Sequence, residues 1–112
     1  VMATSTQPDV LISEVGPRDG LQSVKAVMPT ADKFEWIDAL VAAGLREIEV
    51  CSFVPAKLLP QMADAAEVVR HALTHPGVTV MALSDAVSAA TPRTAVRSNS
   101  ATASAIRLMC RD

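Results

Sequence analysis

The sequence predicts an α/β chain in which parallel strands are covered by helices. Strand-like apolar runs occur at residues 10–15, 46–53 and 78–83, two stretches of helical apolar spacing separate them, and Gly or Pro punctuates the junctions. Strand, helix, strand, helix, strand is the order that a parallel sheet requires. Two architectures satisfy it, an open doubly wound sheet and part of a β/α barrel, and composition does not choose between them.

The first run, VLISEV, is rich in branched side chains and stops at Gly16 and Pro17. Pro29 and Thr30 open the first helix, with Thr30 as the expected N-cap. Phe34, Ile37, Leu40 and Val41 then share a face, Lys33, Glu35 and Asp38 are turned elsewhere, and Gly44 supplies the stop. In the second strand Ile48 and Val50 alternate with Glu47, Glu49 and Cys51. A second helix is expected from near Pro60, with Met62, Ala66, Val69 and Leu73 on one stripe and an end before Pro76-Gly77. VTVMAL, residues 78–83, reads as a third buried strand.

The chain has 112 residues, half of them apolar and a fifth charged, with a formal net charge of −2. That length sets an upper bound of one domain, and the composition is that of a soluble globular protein. No basic stretch suggests nucleic acid, and no apolar run approaches the roughly 18 residues of a membrane span. The first ten residues, VMATSTQPDV, lack the pattern of a secretory signal, so a cytoplasmic location is expected. Cys51 and Cys110 are too few and too far apart for a disulfide framework or a zinc site, and each reads as an ordinary buried thiol.

The polar residues at the strand ends carry the chemistry. Asp19 lies just beyond the first strand and Glu49 within the second, and the carboxyl ends of parallel strands share one rim. Carboxylates suit magnesium or manganese, and Arg18 can hold a carboxylate or stabilise an oxyanion. The same residues can simply cap a turn and form a structural ion pair. A carboxylate inside an apolar strand, as at Glu49, needs a partner in either case. His71 and His75 have the i, i+4 spacing of some metal sites. They fall toward Pro76, at the rim opposite Asp19, and are expected to face solvent.

EVGPRDGLQ, followed by AGLREIEVCSFV and LPQMAD, resembles the beginning of the hydroxymethylglutaryl-CoA lyase family, over residues 10–83. Related Claisen-condensing synthases tend to carry glutamate where this chain has Leu21, which favours the lyase branch. The resemblance implies the amino-terminal βαβαβ portion of a TIM (β/α)8 barrel. It also implies metal-dependent cleavage of a 3-hydroxy-3-methylglutaryl-CoA type substrate to acetyl-CoA and acetoacetate. By this resemblance Asp19 ligates a divalent metal, Mg2+ or Mn2+. Arg18 faces the thioester carbonyl and stabilises the enolate, Glu49 orders water or assists proton transfer, and Gln22 shapes the substrate pocket. The partner implied is an acyl-CoA, with neither nucleic acid nor membrane.

Departures from the family pattern are Pro55-Ala56-Lys57 in place of Ser-Pro-Lys, and Leu58 where an aromatic often stands. The family's histidine pair and asparagine ligand, and its loop cysteine, belong to segments beyond the similar portion, and the surroundings of Cys110 match no family motif. Residues 1–83 are therefore expected to form a partial, incomplete barrel domain. Residues 84–112, about half Ala, Ser and Thr, are expected to be an unmatched tail, disordered, read from a changed frame, or a capping helix. With three candidate strands, the first exposes a backbone edge through which the chain can self-associate. The isolated chain is expected to be inactive. The alternative is a noncatalytic fragment or interaction module.

Overall fold

The computed structural model describes residues 9–84, 94–96 and 105–110. Strands β1 (Ser13–Glu14), β2 (Glu47–Phe53), β3 (Thr79–Ser84), β4 (Thr94–Val96) and β5 (Ala105–Cys110) form one sheet in the order β1-β2-β3-β5-β4. β1, β2, β3 and β5 are parallel, and β4 pairs antiparallel with β5 at the far edge. Helix α1 (Thr30–Ala42) joins β1 to β2, and α2 (Ala65–Ala72) joins β2 to β3. The first three strands and both helices follow the expected order. β4 and β5 lie where the sequence shows no strand period. The expected tail otherwise falls on residues 85–93, 97–104 and 111–112, which lie outside the described residues.

β1 is shorter than the apolar run that announced it. Among the described residues it pairs on one side only, with Ser13 opposite Glu47 and Glu14 opposite Ile48. β2 begins at Glu47, so among the described residues Val10, Leu11 and Ile12 have no residue of β2 opposite them, and they are exposed.

β2 is buried at each of its five positions from Ile48 to Ser52, as expected of a parallel strand covered on both faces. Its alternation is broken once. Glu49 pairs with Met81 but Cys51 pairs with Ala82, so Val50 is an extra residue, a bulge. Val80 and Ala82 point to one face of β3, while Met81 and Leu83 point to the other. Glu49 and Ser52, opposite Met81 and Leu83, therefore share a face that simple alternation would deny them. Cys51 turns to the helix side, where its Sγ lies 3.8 Å from the Ala65 carbonyl of α2.

The helices bury one side against this sheet. Ile37 in α1 is fully buried, with Phe34, Leu40 and Val41 packed around the core, as their spacing requires. The buried residues of α2 are Ala65, Val68, Val69 and Ala72; of the expected stripe, Val69 is buried and Leu73 packs against the core, but Ala66 is exposed. The offset arises because a separate short turn, Pro60–Met62, precedes the helix and places Met62 in the core independently.

Lys33 departs most from expectation, being buried. Its Nζ donates to Asp64 Oδ1 at 2.6 Å and to the Gln61 carbonyl at 2.5 Å. Thr30 is the first residue of α1 rather than its N-cap, and its hydroxyl donates to Asp64 Oδ2 at 2.7 Å. Asp64 thus gathers the amino-terminal turn of α1 onto the start of α2. Gly44 ends α1 at φ 101°, a conformation that favours glycine.

Candidate active site

GPRDG, Gly16–Gly20, makes a helical turn directly after β1. Pro17 enters that turn with its φ preset and no N–H to satisfy. The N–H groups of Arg18 and Asp19 both donate to the Val15 carbonyl, at 3.1 and 2.7 Å. Gly16 seats the turn against α1. A Cβ there would stand 3.0 Å from the Trp36 ring and 2.7 Å from Glu14 Oε1, the same oxygen that accepts the Gly16 N–H.

This turn sends Arg18 across the strand ends to Glu49. Arg18 Nε donates to Glu49 Oε1 at 2.5 Å, and Nη1 donates to Asp19 Oδ1 at 3.2 Å. The side chains form a gradient from interior to water, with Glu49 4% exposed, Arg18 16% and Asp19 61%. The guanidinium answers the need of a charge buried in an apolar strand. Its fork also presents more donors than two carboxylate bonds consume.

Gln22 is the fourth expected residue. Its Oε1 accepts from the buried Ser52 hydroxyl at 3.2 Å. Arg18, Asp19 and Glu49 are thus joined directly, and Gln22 reaches the same face through Ser52. Sequence reasoning missed Ser52, because only the bulge places it beside Glu49. A serine within an apolar strand was the available signal.

The donors on this rim are oxygens, the kind that suits a hard divalent cation. Glu49 is committed to Arg18, so Asp19 is the exposed carboxylate that the rim offers. Cys51 brings no reactivity. It is 1% exposed, and burial, assisted by the Asp64 carboxylate, pushes its thiol up to about 12. That is the ordinary buried thiol that was expected.

The histidines require a correction. His71 and His75 do share a face, but they are half-buried rather than solvent-facing, and both Nε2 atoms meet Asp38 Oδ1, at 2.7 and 2.6 Å. The spacing was legible, whereas Asp38, on the other helix, was not. This cluster stands in the helix layer toward the amino-terminal rim of the sheet, apart from Arg18 and Glu49.

A parallel sheet whose carboxyl rim carries a guanidinium set between two carboxylates is a β/α design with a polar site at the strand ends. The chain belongs to the HMGL-like family, whose model matches residues 9–110. It is 55% identical over 69 residues to the cytoplasmic 3-hydroxy-3-methylglutaryl-CoA lyase of Mus musculus, covering 62% of this chain and 20% of that protein. It is 54% identical over 74 residues to the 3-hydroxy-3-isohexenylglutaryl-CoA/hydroxy-methylglutaryl-CoA lyase of Pseudomonas aeruginosa, covering 66% and 25%.

The crystal structure of hydroxymethylglutaryl-CoA lyase from Pseudomonas aeruginosa matches with a TM-score of 0.62 over 66% of this chain and 25% of that one, at 54% identity. An Acinetobacter baumannii HMG-CoA lyase in complex with coenzyme A and 3-methylmalate matches with the same TM-score at 35% identity, covering 67% and 25%. The chain thus spans about a fifth to a quarter of the length of these relatives. Among the described residues no helix is long and apolar enough to cross a membrane.

Proposed function

We propose that this chain carries the first sector of a carbon–carbon lyase pocket, one that cleaves a 3-hydroxy-3-methylglutaryl-CoA type substrate to acetyl-CoA and acetoacetate. The observation that carries the reading is the Arg18 guanidinium, held by the buried Glu49 carboxylate at 2.5 Å on the carboxyl rim and flanked by Asp19. The names of the relatives supply the reaction class.

The cleavage breaks the bond between the carbinol carbon and the α-carbon of the thioester. The tertiary hydroxyl gives up its proton and becomes the ketone of acetoacetate. The electron pair of the broken bond moves onto the thioester as an enolate, which is then protonated to acetyl-CoA. In this reading the Arg18 fork receives the enolate oxygen, and its bond to Glu49 supports the reading, because it fixes the fork before substrate arrives and leaves little reorganisation for the reaction. In the same reading Glu49 orders a water or assists the proton transfer. Gln22, held by Ser52, sets the polar wall beside it.

Asp19 is the residue that would hold a divalent metal, Mg2+ or Mn2+, with further ligands from outside the described rim. Such an ion supplies Lewis acidity toward the hydroxyl and carboxylate oxygens of the substrate. The isolated chain is therefore read as lacking a complete site.

Two measurements test this. Purified chain, given hydroxymethylglutaryl-CoA with Mg2+ or Mn2+, is expected to release no acetoacetate above background, and enzyme-like turnover would contradict the incomplete-site reading. A chimera of the Pseudomonas aeruginosa lyase, with its matching quarter replaced by residues 10–83 of this chain, is expected to fold and cleave the substrate. A folded but inactive chimera would contradict the lyase reading.

A further inference from the structure

Three ligating side chains converge in the helix layer, outside the rim described above. Asp38 comes from α1, His71 from α2, and His75 from the turn that follows it. Their ligating atoms all lie within 4.8 Å of one another. Both histidines direct Nε2 at the same oxygen, Asp38 Oδ1, at 2.7 and 2.6 Å.

The rings are held rather than loosely placed. His71 stacks on Phe34 with centroids 4.1 Å apart and planes 7° apart, and it meets His75 edge-on at 5.8 Å. Two imidazoles and one carboxylate on bonds of about 2.0–2.2 Å would stand roughly 3.4 Å apart in a tetrahedral shell. The 2.7 and 2.6 Å contacts to Asp38 Oδ1 are shorter than that spacing, so both histidines would have to part from the carboxylate to admit an ion.

Donor chemistry selects the ion. Imidazole with carboxylate suits zinc and its borderline neighbours rather than magnesium or calcium. With side chains 49%, 25% and 23% exposed, water can reach a fourth position.

We propose that Asp38, His71 and His75 form a binding site for a zinc-type divalent transition ion, with solvent completing the shell, and that the bound ion fastens α1 to α2. The site stands independently of the lyase reading, since it uses none of Arg18, Asp19, Gln22 or Glu49. Its ligands come from two helices, so occupancy stabilises their packing by mass action.

The test uses the full chain carrying Asp19→Asn, so that any zinc taken by the carboxyl rim is not counted. Metal is first stripped with a chelator, and zinc is then added with calorimetric detection. One zinc per chain is expected, together with a rise in melting temperature. Adding Asp38→Asn or His75→Gln is expected to weaken binding by about tenfold or more, with the circular dichroism unchanged. Absence of saturable binding in the Asp19→Asn chain would overturn the site, as would equal affinity in the Asp38→Asn and His75→Gln backgrounds. Should either of those variants misfold, cobalt decides on the Asp19→Asn chain itself. Visible absorption bands of a four-coordinate ion support the site, and a featureless spectrum overturns it.

Discussion

Glu49 is an anion with almost no contact with water, and Arg18 makes that position tolerable. Replacing Arg18 by Met strands the carboxylate, so R18M is expected to cost about 3 kcal/mol, read as a lowered urea midpoint with an unchanged slope. Cys51 sits on the other face of β2 and behaves differently. With its thiol raised to about 12 against an ordinary 9.0, the folded state keeps the proton that the unfolded chain releases. The Cys51 contribution is complete below about pH 9 and is lost as pH rises from there toward 12. Stability is therefore expected to fall across that alkaline window, and to fall less in C51A relative to its own value at pH 8. Iodoacetamide at pH 8 is expected to leave Cys51 unmodified until denaturant is added. Arg18, Asp19 and Glu49 were legible because their positions rest on topology, since parallel strands deliver their carboxyl ends to one rim. Lys33 was not, because a lysine beside an apolar stripe reads as solvated, and its acceptors stand 28 and 31 residues away.

At the level of elements, two devices place the site. The bulge at Val50 brings Glu49 and Ser52 to one face, and the Lys33–Asp64 pair locks the start of α1 onto α2. K33M would leave Asp64 without its cation in a mostly buried position, and a loss of about 3 kcal/mol in urea unfolding followed by circular dichroism is expected. A loss below about 0.5 kcal/mol would show that the pair behaves like a surface contact. Helical and strand periods located α1, β2, α2 and β3 because apolar residues there repeat at the spacing of the element. The same reasoning failed at the bulge, since an inserted residue preserves local composition while shifting every later side chain to the opposite face. It also missed β5, where AIRLMC is a short run interrupted by Arg107 and bounded by neither Gly nor Pro.

At the scale of the molecule, β1 ends the described sheet with an unpaired edge, and Val10, Leu11 and Ile12 are exposed beside it. Exposed apolar residues next to free strand hydrogen-bonding groups favour association. Sedimentation velocity is expected to show concentration-dependent self-association that a Leu11→Lys, Ile12→Lys variant reduces, whereas a monomer at every concentration would contradict this. The family match runs through residue 110, while the curated relatives compared above align over 69 and 74 residues, so similarity to individual lyases covers a shorter span than the family match. The central claim is that the guanidinium on this rim stabilises the enolate. In the chimera with the Pseudomonas aeruginosa lyase, Arg18→Gln is expected to lower kcat by about 10²–10³-fold with little change in KM. A folded R18Q chimera that keeps kcat within about threefold of its parent would contradict that claim.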